Sequence, residues 1–234
     1  FKSGPADIVT VADKETEIFL VNKIRATYPD HGIISEEREG EINPGAEFTW
    51  VIDPIDGTRN FANRVAYWCV MVGITRLGKP YLGAIYDAMN DELFFAEVGK
   101  GAYLNDKKIS VNNNRDVKSS FMVLSPGTDK TGSPYDSDKY EDYARFYDNL
   151  VGSTGKWLFN YGSMLCVCHL AVGRIDASLI NGGMYHDYLP AFIIASEAGA
   201  LVTDVDGNTW QRGRRDIVAA NSDLHPKLMA LFKK

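Results

Sequence analysis

The chain has 234 residues, of which 45% are hydrophobic and 24% are charged, as is usual for a folded globular protein. Its net charge of −6 argues against the basic surface that a nucleic-acid-binding protein needs, so we expect no nucleic-acid partner. No apolar stretch reaches the roughly 20 residues of a membrane-spanning helix, so we expect no membrane association.

The three cysteines are Cys69, Cys166 and Cys168. An odd number without a framework pattern favours free thiols in a reducing compartment, and we therefore expect a cytoplasmic protein. Cys166 and Cys168 lie in an apolar stretch without metal-ligand spacing, which indicates small buried side chains.

The first half of the chain predicts one helix followed by strands. Apolar side chains recur at helical spacing over residues 10–28, where Thr10 can cap the helix and Pro29 ends it. We expect Pro54 to break the second strand after Asp53. The later strands are joined by only a few residues, which favours an antiparallel meander. The predicted elements are the helix at 10–28 and strands at 32–35, 48–53, 68–75, 81–86 and 93–98.

After about residue 117, helical and strand-like segments alternate, which predicts a second, mixed or parallel sheet flanked by helices. We therefore divide the chain into an N-terminal α+β subdomain at 1–117 and a C-terminal α/β subdomain at 118–234. The predicted strands of this half are 121–124, 157–160, 176–180, 201–203 and 217–220, and the predicted helices are 140–150, 163–172, 188–198 and a final one from residue 225.

The most informative stretch is 50–61, with the sequence WVIDPIDGTRNF. An apolar strand ends at Asp53, and Asp56 follows on a tight turn. Two such carboxylates repel each other unless a cation lies between them, and all-oxygen ligands favour a hard cation such as Mg²⁺. Backbone amides of Gly57 and Thr58, at the start of a helix, are suited to phosphate oxygens. For the short D-P-x-D-G string alone, a purely structural turn remains an equal alternative.

The stretch 50–61 resembles the signature of the inositol monophosphatase family, which also includes bisphosphate nucleotidases, some histidinol phosphatases and some fructose bisphosphatases. Further segments match this family in the right order and cover nearly the whole chain. The resemblance implies an α/β (α+β) fold with α-β-α-β-α layers, an antiparallel sheet in the first half and a mixed sheet in the second. The site would lie where the two halves meet. The matching segments are 2–13, Ile34-Ser35-Glu36-Glu37, Gly162-Ser163, His186-Asp187 and Glu197-Ala198-Gly199.

The resemblance also implies a site for two or three Mg²⁺ ions. One ion would be held by Glu36, Asp53 and the backbone carbonyl of Ile55. A second would be held by Asp53, Asp56 and Asp187. A third, weaker ion would rest on Glu36 and waters.

Catalytic roles follow from the same resemblance. Thr58 and Asp13 would form a hydrogen-bonded pair that orients and deprotonates a metal-bound water, and Glu36 would complete the catalytic set. Gly57 and Thr58 would bind the phosphate. The residues that would contact the substrate are Asp56, Gly162, Ser163 and Asp187.

Each acidic residue also has a structural interpretation when it is considered alone. Asp13 could stabilise the first turn of its helix, and Glu36 and Glu37 could be solvated loop charges. Asp187 could cap a helix that begins near Tyr188. The whole set of motifs favours the joint metal site over these separate interpretations.

The expected activity is Mg²⁺-dependent hydrolysis of a phosphate monoester on a small metabolite, by in-line attack of water. The resemblance further implies lithium sensitivity and a homodimer. Alternatives are another sugar or histidinol phosphatase, a fructose-1,6-bisphosphatase, or a bisphosphate nucleotidase. A non-catalytic regulatory or scaffold homologue is the alternative of another class, and it would be expected to lose metal-binding acids.

The leaving-group side of the expected site departs from the family. Ile180 lies seven positions before Asp187, where family members that hydrolyse inositol phosphates carry an acidic residue, so inositol phosphate is in question as the substrate. His186 replaces the usual tryptophan. We expect Pro190 in the first turn of the helix that follows.

Overall fold

A computed structural model gives the structure of residues 9–127, 139–153 and 157–233. The first part of the predicted motif at 2–13 lies outside these described residues. None of the helices in the described ranges combines the length and hydropathy needed to cross a bilayer.

Seven strands form the first sheet, and their order in space is their order in the chain. The predicted meander is confirmed and extends through two further strands that the sequence analysis did not predict. The first two strands pair in parallel, because the connection at 36–47 is long enough to return the chain to the start of the sheet. The strands are β1 (Gly32–Ser35), β2 (Phe48–Asp56), β3 (Cys69–Arg76), β4 (Lys79–Asp87), β5 (Glu92–Glu97), β6 (Gly101–Leu104) and β7 (Lys107–Ile109).

Strand β2 continues through Pro54 to Asp56, so the predicted break at Pro54 is wrong. The pairing of β2 with β3 shifts register between Asp53 and Asp56. Such an irregularity tolerates a proline, which has no N–H to donate to the ladder. Both acidic residues are therefore fixed on one strand, on either side of the shift.

The second sheet is mixed, as predicted, with the strand order β11-β12-β10-β8-β9. Strand β8 is parallel to both β9 and β10, whereas β12 is antiparallel to β10 and β11. The strands are β8 (Phe121–Ser125), β9 (Trp157–Phe159), β10 (Ala177–Asn181), β11 (Ala200–Thr203) and β12 (Asp216–Asn221).

The helices complete a layered α-β-α-β-α arrangement. Helices α4 and α5 contact both sheets, α1 packs on β2 of the first sheet, and α3 and α6 pack together outside the second. The helices are α1 (Val11–Thr27), α2 (Thr58–Ala62), α3 (Tyr140–Ser153), α4 (Leu165–Ala171), α5 (Tyr185–Glu197) and α6 (His225–Phe232).

The predicted cap of α1 is confirmed, but its predicted apolar stripe is only partly buried. Val21 and Ile24 are buried, whereas Ile18 is 59% exposed. The buried face also includes Asp13 and Glu17. Helix α1 therefore carries two acidic side chains into the protein, which the apolar spacing did not reveal.

Helix α5 begins before residue 188, at Tyr185, so Pro190 lies in the helix interior and not in its first turn as predicted. The helix approaches the first sheet closely at Gly73 and Gly83, which face each other across β3 and β4. A Cβ at Gly73 would meet Leu189 at 2.8 Å, and one at Gly83 would meet the Pro190 carbonyl oxygen at 2.7 Å. Gly83 cannot be replaced without moving the backbone of α5, whereas a Cβ at Gly73 would displace the Leu189 side chain.

The largest core cluster lies between the sheets and draws on both halves of the chain, including Val51 and Met71 from the first and Leu165 and Ile194 from the second. All strands of the first sheet precede residue 117, and all strands of the second follow it. The division at 117/118 remains a prediction. The shared core shows that the two halves pack as one structure around the middle layer.

Candidate active site

The two acidic residues of β2 are both buried. Asp53 is 2% exposed and Asp56 is 9% exposed. Asp53 Oδ1 accepts a hydrogen bond from the backbone N–H of Ile55 at 3.1 Å. This contact turns the peptide after Pro54 toward the carboxylate and fixes the predicted metal-binding loop.

Asp187 approaches these residues from the distant helix α5. It is the third residue of the helix, and its Oδ2 accepts a hydrogen bond from the backbone N–H of Met184, the N-cap residue. The alternative that Asp187 is the N-cap residue is therefore wrong, because Met184 is the N-cap residue and Asp187 lies three residues later. One oxygen each from Asp53, Asp56 and Asp187 lie within 4.8 Å of one another.

A second group of possible ligands shares Asp53. It consists of Glu36, Asp53 and His186, whose ligand atoms again lie within 4.8 Å of one another. Glu36 follows strand β1, and its backbone N–H donates to the carbonyl oxygen of Ile52 on β2. The structure thus brings together all four acidic residues that the sequence predicted as metal ligands.

The electrostatics of the cluster reflect burial and mutual repulsion. Burial raises the pKa of Asp53 well above its ordinary value, and the charges of Glu36, Asp56 and Asp187 raise it further. Burial and the charge of Asp187 raise the pKa of Asp56 to about 7, although hydrogen bonds from Ser163 and Met164 act in the opposite direction. A positive charge placed among these carboxylates would therefore stabilise their ionised forms.

The donor set fits one or more divalent cations. Asp53, Asp56 and Asp187 offer only oxygen, the ligand type that Mg²⁺ prefers. The predicted contribution of the Ile55 carbonyl is compatible with this arrangement, because that oxygen accepts one hydrogen bond from Thr58 and retains a second lone pair.

The predicted pair of Thr58 and Asp13 is in contact. Thr58 Oγ1 lies 3.3 Å from Asp13 Oδ1 and 3.0 Å from the carbonyl oxygen of Ile55. The other oxygen of Asp13 accepts from the backbone and hydroxyl of Thr10 at the start of α1. Asp13 thus stabilises its helix, as the structural alternative proposed, and also reaches Thr58.

Asp56 is held by the loop before α4. Its Oδ2 accepts hydrogen bonds from Ser163 Oγ and from the backbone N–H of Met164, the latter at 2.6 Å. The thiol of Cys69 donates to the same oxygen at 3.4 Å. Gly162 and Ser163 therefore lie beside Asp56, as the predicted substrate contacts require, and Ser163 also orients a predicted metal ligand.

Gly57 occupies a backbone conformation that other residues rarely adopt, with φ of 86°. A Cβ at this position would lie 3.1 Å from the carbonyl oxygen of Tyr67 and 3.2 Å from the Cβ of Ser163. The glycine allows the chain to turn sharply from β2 into the short helix α2. The first amides of that helix have no intrahelical acceptor, which leaves them available to an anion.

The four acidic residues of the cluster border one cavity of about 520 Å³, together with Gly57, Thr58 and Ser163. Its other walls include Asn160, Tyr161, Ile180 and Asn181, which belong to the second half of the chain. Arg59 is the one cationic side chain among the described residues that line it. The cavity therefore combines a strongly acidic floor with a wall of mixed polarity, at the junction of the two halves.

A sequence profile of the inositol monophosphatase family matches residues 2–234 of the chain. The chain belongs to the inositol monophosphatase family. This result confirms the resemblance on which the predicted fold and site were based.

Individual relatives of this family member carry two kinds of name. The inositol-1-monophosphatase of Bacillus subtilis is 31% identical over 227 residues, which cover 96% of this chain and 83% of the relative. The Nus factor SuhB of Salmonella typhimurium is 30% identical over 233 residues, which cover 98% of this chain and 84% of the relative. A solved inositol monophosphatase from Anabaena superposes with a TM-score of 0.85 at 33% identity, covering 96% of this chain and 87% of that one.

Three residues at the family site were not among the predicted site residues. Cys69 was interpreted only as a small buried side chain, Met164 acts through its backbone, and His186 was noted only as a replacement for tryptophan. For Met164 the signal was its place after Gly-Ser at a helix start. For His186 the signal was its position next to Asp187, because neighbouring helical residues can face the same cluster.

Proposed function

We propose that the chain is a Mg²⁺-dependent phosphomonoesterase that hydrolyses a phosphate ester of a small metabolite by attack of water. The observation that carries the proposal is the convergence of Asp53, Asp56 and Asp187 in one cavity with Thr58, which contacts the buried Asp13 behind it. Membership of the inositol monophosphatase family supports it. Relatives named inositol monophosphatase support the same reaction class.

The metal centre would use the residues that the sequence predicted. Asp53, Asp56 and Asp187 would hold one ion, and Glu36 with Asp53 and the Ile55 carbonyl would hold another. Divalent ions bound there supply positive charge that offsets the charge of the phosphate and lowers the pKa of water. Ser163 and Met164 would keep Asp56 in a fixed orientation through their hydrogen bonds.

Thr58 and Asp13 would remove the proton from the attacking water. When the hydroxyl of Thr58 points to Asp13 Oδ1 and not to the Ile55 carbonyl oxygen, it can pass its proton to Asp13 while its oxygen accepts a proton from the water. The water oxygen then forms a bond to phosphorus as the ester bond breaks, and the leaving oxygen takes up a proton from solvent. Hydrogen bonds from Thr10 to Asp13 Oδ2 hold the carboxylate in place for this step.

Phosphate oxygens would lie against the start of α2. The amides of Gly57 and Thr58 are at the first turn of that helix and line the cavity. Positioning and electrostatic stabilisation are the main requirements of phosphoryl transfer, and both are met without a nucleophilic side chain.

The part of the cavity wall formed by Ile180 and Asn181 would contact the leaving group. Ile180 presents an apolar side chain there, which cannot accept hydrogen bonds from sugar hydroxyls. Asn181 is 3% exposed, and its Oδ1 is a buried acceptor that has no hydrogen-bond partner among the residues the structure describes. This wall favours a leaving group with both apolar surface and a hydrogen-bond donor over a fully hydroxylated ring.

A substrate panel tests the proposal. Phosphate release would be measured with Mg²⁺ from inositol 1-phosphate, fructose 1,6-bisphosphate, histidinol phosphate, NADP and adenosine 3′,5′-bisphosphate. We expect release from at least one of them and none from an Asp53→Asn variant purified in parallel, which controls for contaminating phosphatases. Release from none of the compounds would contradict the proposal.

The relatives named Nus factor SuhB favour a second candidate, a regulatory protein that uses this fold without depending on hydrolysis. The two candidates differ in their response to Asp53→Asn. If the Asp53→Asn variant cannot replace the wild-type chain in the cell, the result would support the phosphatase. If it replaces the wild-type chain fully but releases no phosphate, the result would support the regulatory protein.

We also propose that the chain is a cytoplasmic homodimer, in keeping with its family and its free, buried cysteines. Sedimentation equilibrium would measure the mass in solution. A mass equal to that of one chain, 26.0 kDa, at micromolar concentration would contradict the dimer.

A further inference from the structure

We propose that His186 supplies a nitrogen ligand to an ion held by Glu36 and Asp53, so that this position selects a transition metal such as Mn²⁺ over Mg²⁺. This ion would lie next to the other group of ligands, Asp53, Asp56 and Asp187, which offers only oxygen atoms. It deepens the proposed function by giving the metal centre two chemically different sites, but its test requires no turnover.

The geometry places a ring nitrogen of His186 among carboxylates. A ligand atom of His186 lies within 4.8 Å of an oxygen of Glu36 and an oxygen of Asp53. Its Nε2 lies 3.5 Å from Asp187 Oδ1. The imidazole therefore faces the acidic cluster and not the solvent.

His186 lies in the first turn of helix α5, whose neighbouring residues are well anchored. The side chain of His186 is only 15% exposed. On one side of it, Tyr185 stacks on Trp210 with 14° between the ring planes, and the guanidinium of Arg212 covers Tyr185. On the other side, Asp187 closes the first turn through its bond to the Met184 N–H. The residues on both sides of His186 in the chain are thus fixed by contacts of their own, and the imidazole is largely buried between them.

The ligand chemistry of the two groups differs. Asp53, Asp56 and Asp187 present only hard oxygen atoms, which suit Mg²⁺. An imidazole nitrogen beside two carboxylates suits first-row transition metals, whose affinity for such mixed ligands exceeds that of Mg²⁺. Asp53 belongs to both groups, so it would contribute to holding an ion in each of them.

Electron spin-echo spectroscopy of Mn²⁺ bound to the protein tests the proposal without a substrate. A nitrogen bound directly to Mn²⁺ modulates the echo, and the modulation frequency changes when the nitrogen is replaced by ¹⁵N. We expect nitrogen modulation in the wild-type protein and a frequency change after ¹⁵N-histidine labelling. Because this measurement uses the wild-type chain, it does not depend on the folding of a variant.

Two variants assign the nitrogen. In His186→Gln we expect the modulation to disappear and the Mn²⁺ dissociation constant to rise about tenfold or more, while the Mg²⁺ constant changes less than about twofold. His169→Gln is the matched control, because His169 contacts Arg174 and Tyr67 and lies outside both ligand groups. We expect it to retain the modulation and both constants.

Two results would overturn the proposal: no histidine nitrogen signal in the wild-type protein, or unchanged Mn²⁺ binding in a folded His186→Gln variant. In either case His186 would serve only as a neighbour of Asp187. A nitrogen signal in a protein that releases no phosphate would leave this site intact and contradict only the phosphatase proposal.

Discussion

Thr58 Oγ1 lies 3.3 Å from Asp13 Oδ1, although the two residues are 45 positions apart in the chain. Asp13 is fully buried, and its second oxygen is occupied by the Thr10 cap of α1. One carboxylate therefore joins the start of α1 to the start of α2. In the proposed phosphatase, a change at either residue should mainly alter the orientation of the attacking water.

Thr58→Ala removes the hydroxyl that would carry the proton to Asp13. We expect kcat to fall about 100-fold or more, within the range for loss of general acid–base help, with KM nearly unchanged. Steady-state kinetics with the best substrate of the panel would measure both. Thr58→Ser keeps the hydroxyl and should retain most of the activity. An effect of Thr58→Ala confined to KM would contradict this role.

Asp53→Asn should abolish turnover and weaken divalent-ion binding, because Asp53 belongs to both ligand groups. Removing a residue that only hydrogen-bonds to a metal ligand lowers metal affinity ~10–100-fold. We expect the loss of Mg²⁺ affinity in Asp53→Asn to be at least as large. Calorimetric titration with Mg²⁺ would measure it. The surface variant Asp223→Asn, which loses only a contact with Arg115, is the control. Normal Mg²⁺ binding by a folded Asp53→Asn protein would refute the metal assignment.

The metal-free protein should become less stable as the pH rises toward neutrality because of its buried acids. Burial and the charge of Asp187 raise the pKa of Asp56 from 3.8 to about 7, and burial with the neighbouring carboxylates also raises the pKa of Asp53 well above its ordinary value. The folded state therefore retains protons that the unfolded state releases, and the stability they provide is present below about pH 4 and lost as the pH rises through about 7.

Thermal unfolding in chelator at several pH values isolates this effect when wild type is compared with Asp56→Asn, which carries no charge at that position. We expect the difference in melting temperature, variant minus wild type, to grow between pH 5 and pH 8. Mg²⁺ at pH 8 should stabilise wild type more than the variant. A difference in melting temperature that does not change with pH would show that burial does not raise the pKa of Asp56.

Gly57→Ala should destabilise the protein and lower kcat together. A left-handed conformation costs a non-glycine residue about 1–2 kcal/mol, and the new Cβ would also meet Tyr67 and Ser163. Gly78 is the matched control, because it has a φ of 74° but open space around its Cβ position. Denaturant unfolding should give a larger loss for Gly57→Ala than for Gly78→Ala, and only Gly57→Ala should lose activity. Equal losses in both variants would contradict the importance of the close approach.

Lithium should inhibit phosphate release. Li⁺ is a small, hard cation that binds oxygen ligands, so it can occupy the group of Asp53, Asp56 and Asp187 without supplying the second positive charge of Mg²⁺. Initial rates in LiCl would be compared with rates in NaCl and KCl at equal ionic strength. Equal rates in all three salts would indicate that the geometry of this group excludes Li⁺.

The sequence predicted most elements of the fold because their signals are local. The cap at Thr10, the short turns between β3, β4 and β5, and the apolar strand before Asp53 all depend on neighbouring residues. The extension of β2 through Pro54 was missed, because a proline stops a strand unless the partner strand shifts register beside it. That shift depends on β3, which is distant in sequence.

The composition of the candidate site was predictable from motifs, but its contacts were not. Glu36, Asp53, Asp56 and Asp187 were all named from the family resemblance, and they converge. The bonds from Cys69 and Met164 to Asp56 arise only when β3 and the start of α4 pack against the end of β2. The place of His186 in the cluster likewise depends on the first turn of α5, which begins earlier than its sequence indicated.

The absence of side chains at Gly73 and Gly83 also affects the position of Asp187. Helix α5, which carries Asp187, lies directly against the sheet backbone at these positions. A methyl group added at Gly83 would meet the backbone of Pro190, so we expect it to push α5, and Asp187 with it, away from the sheet that carries Asp53.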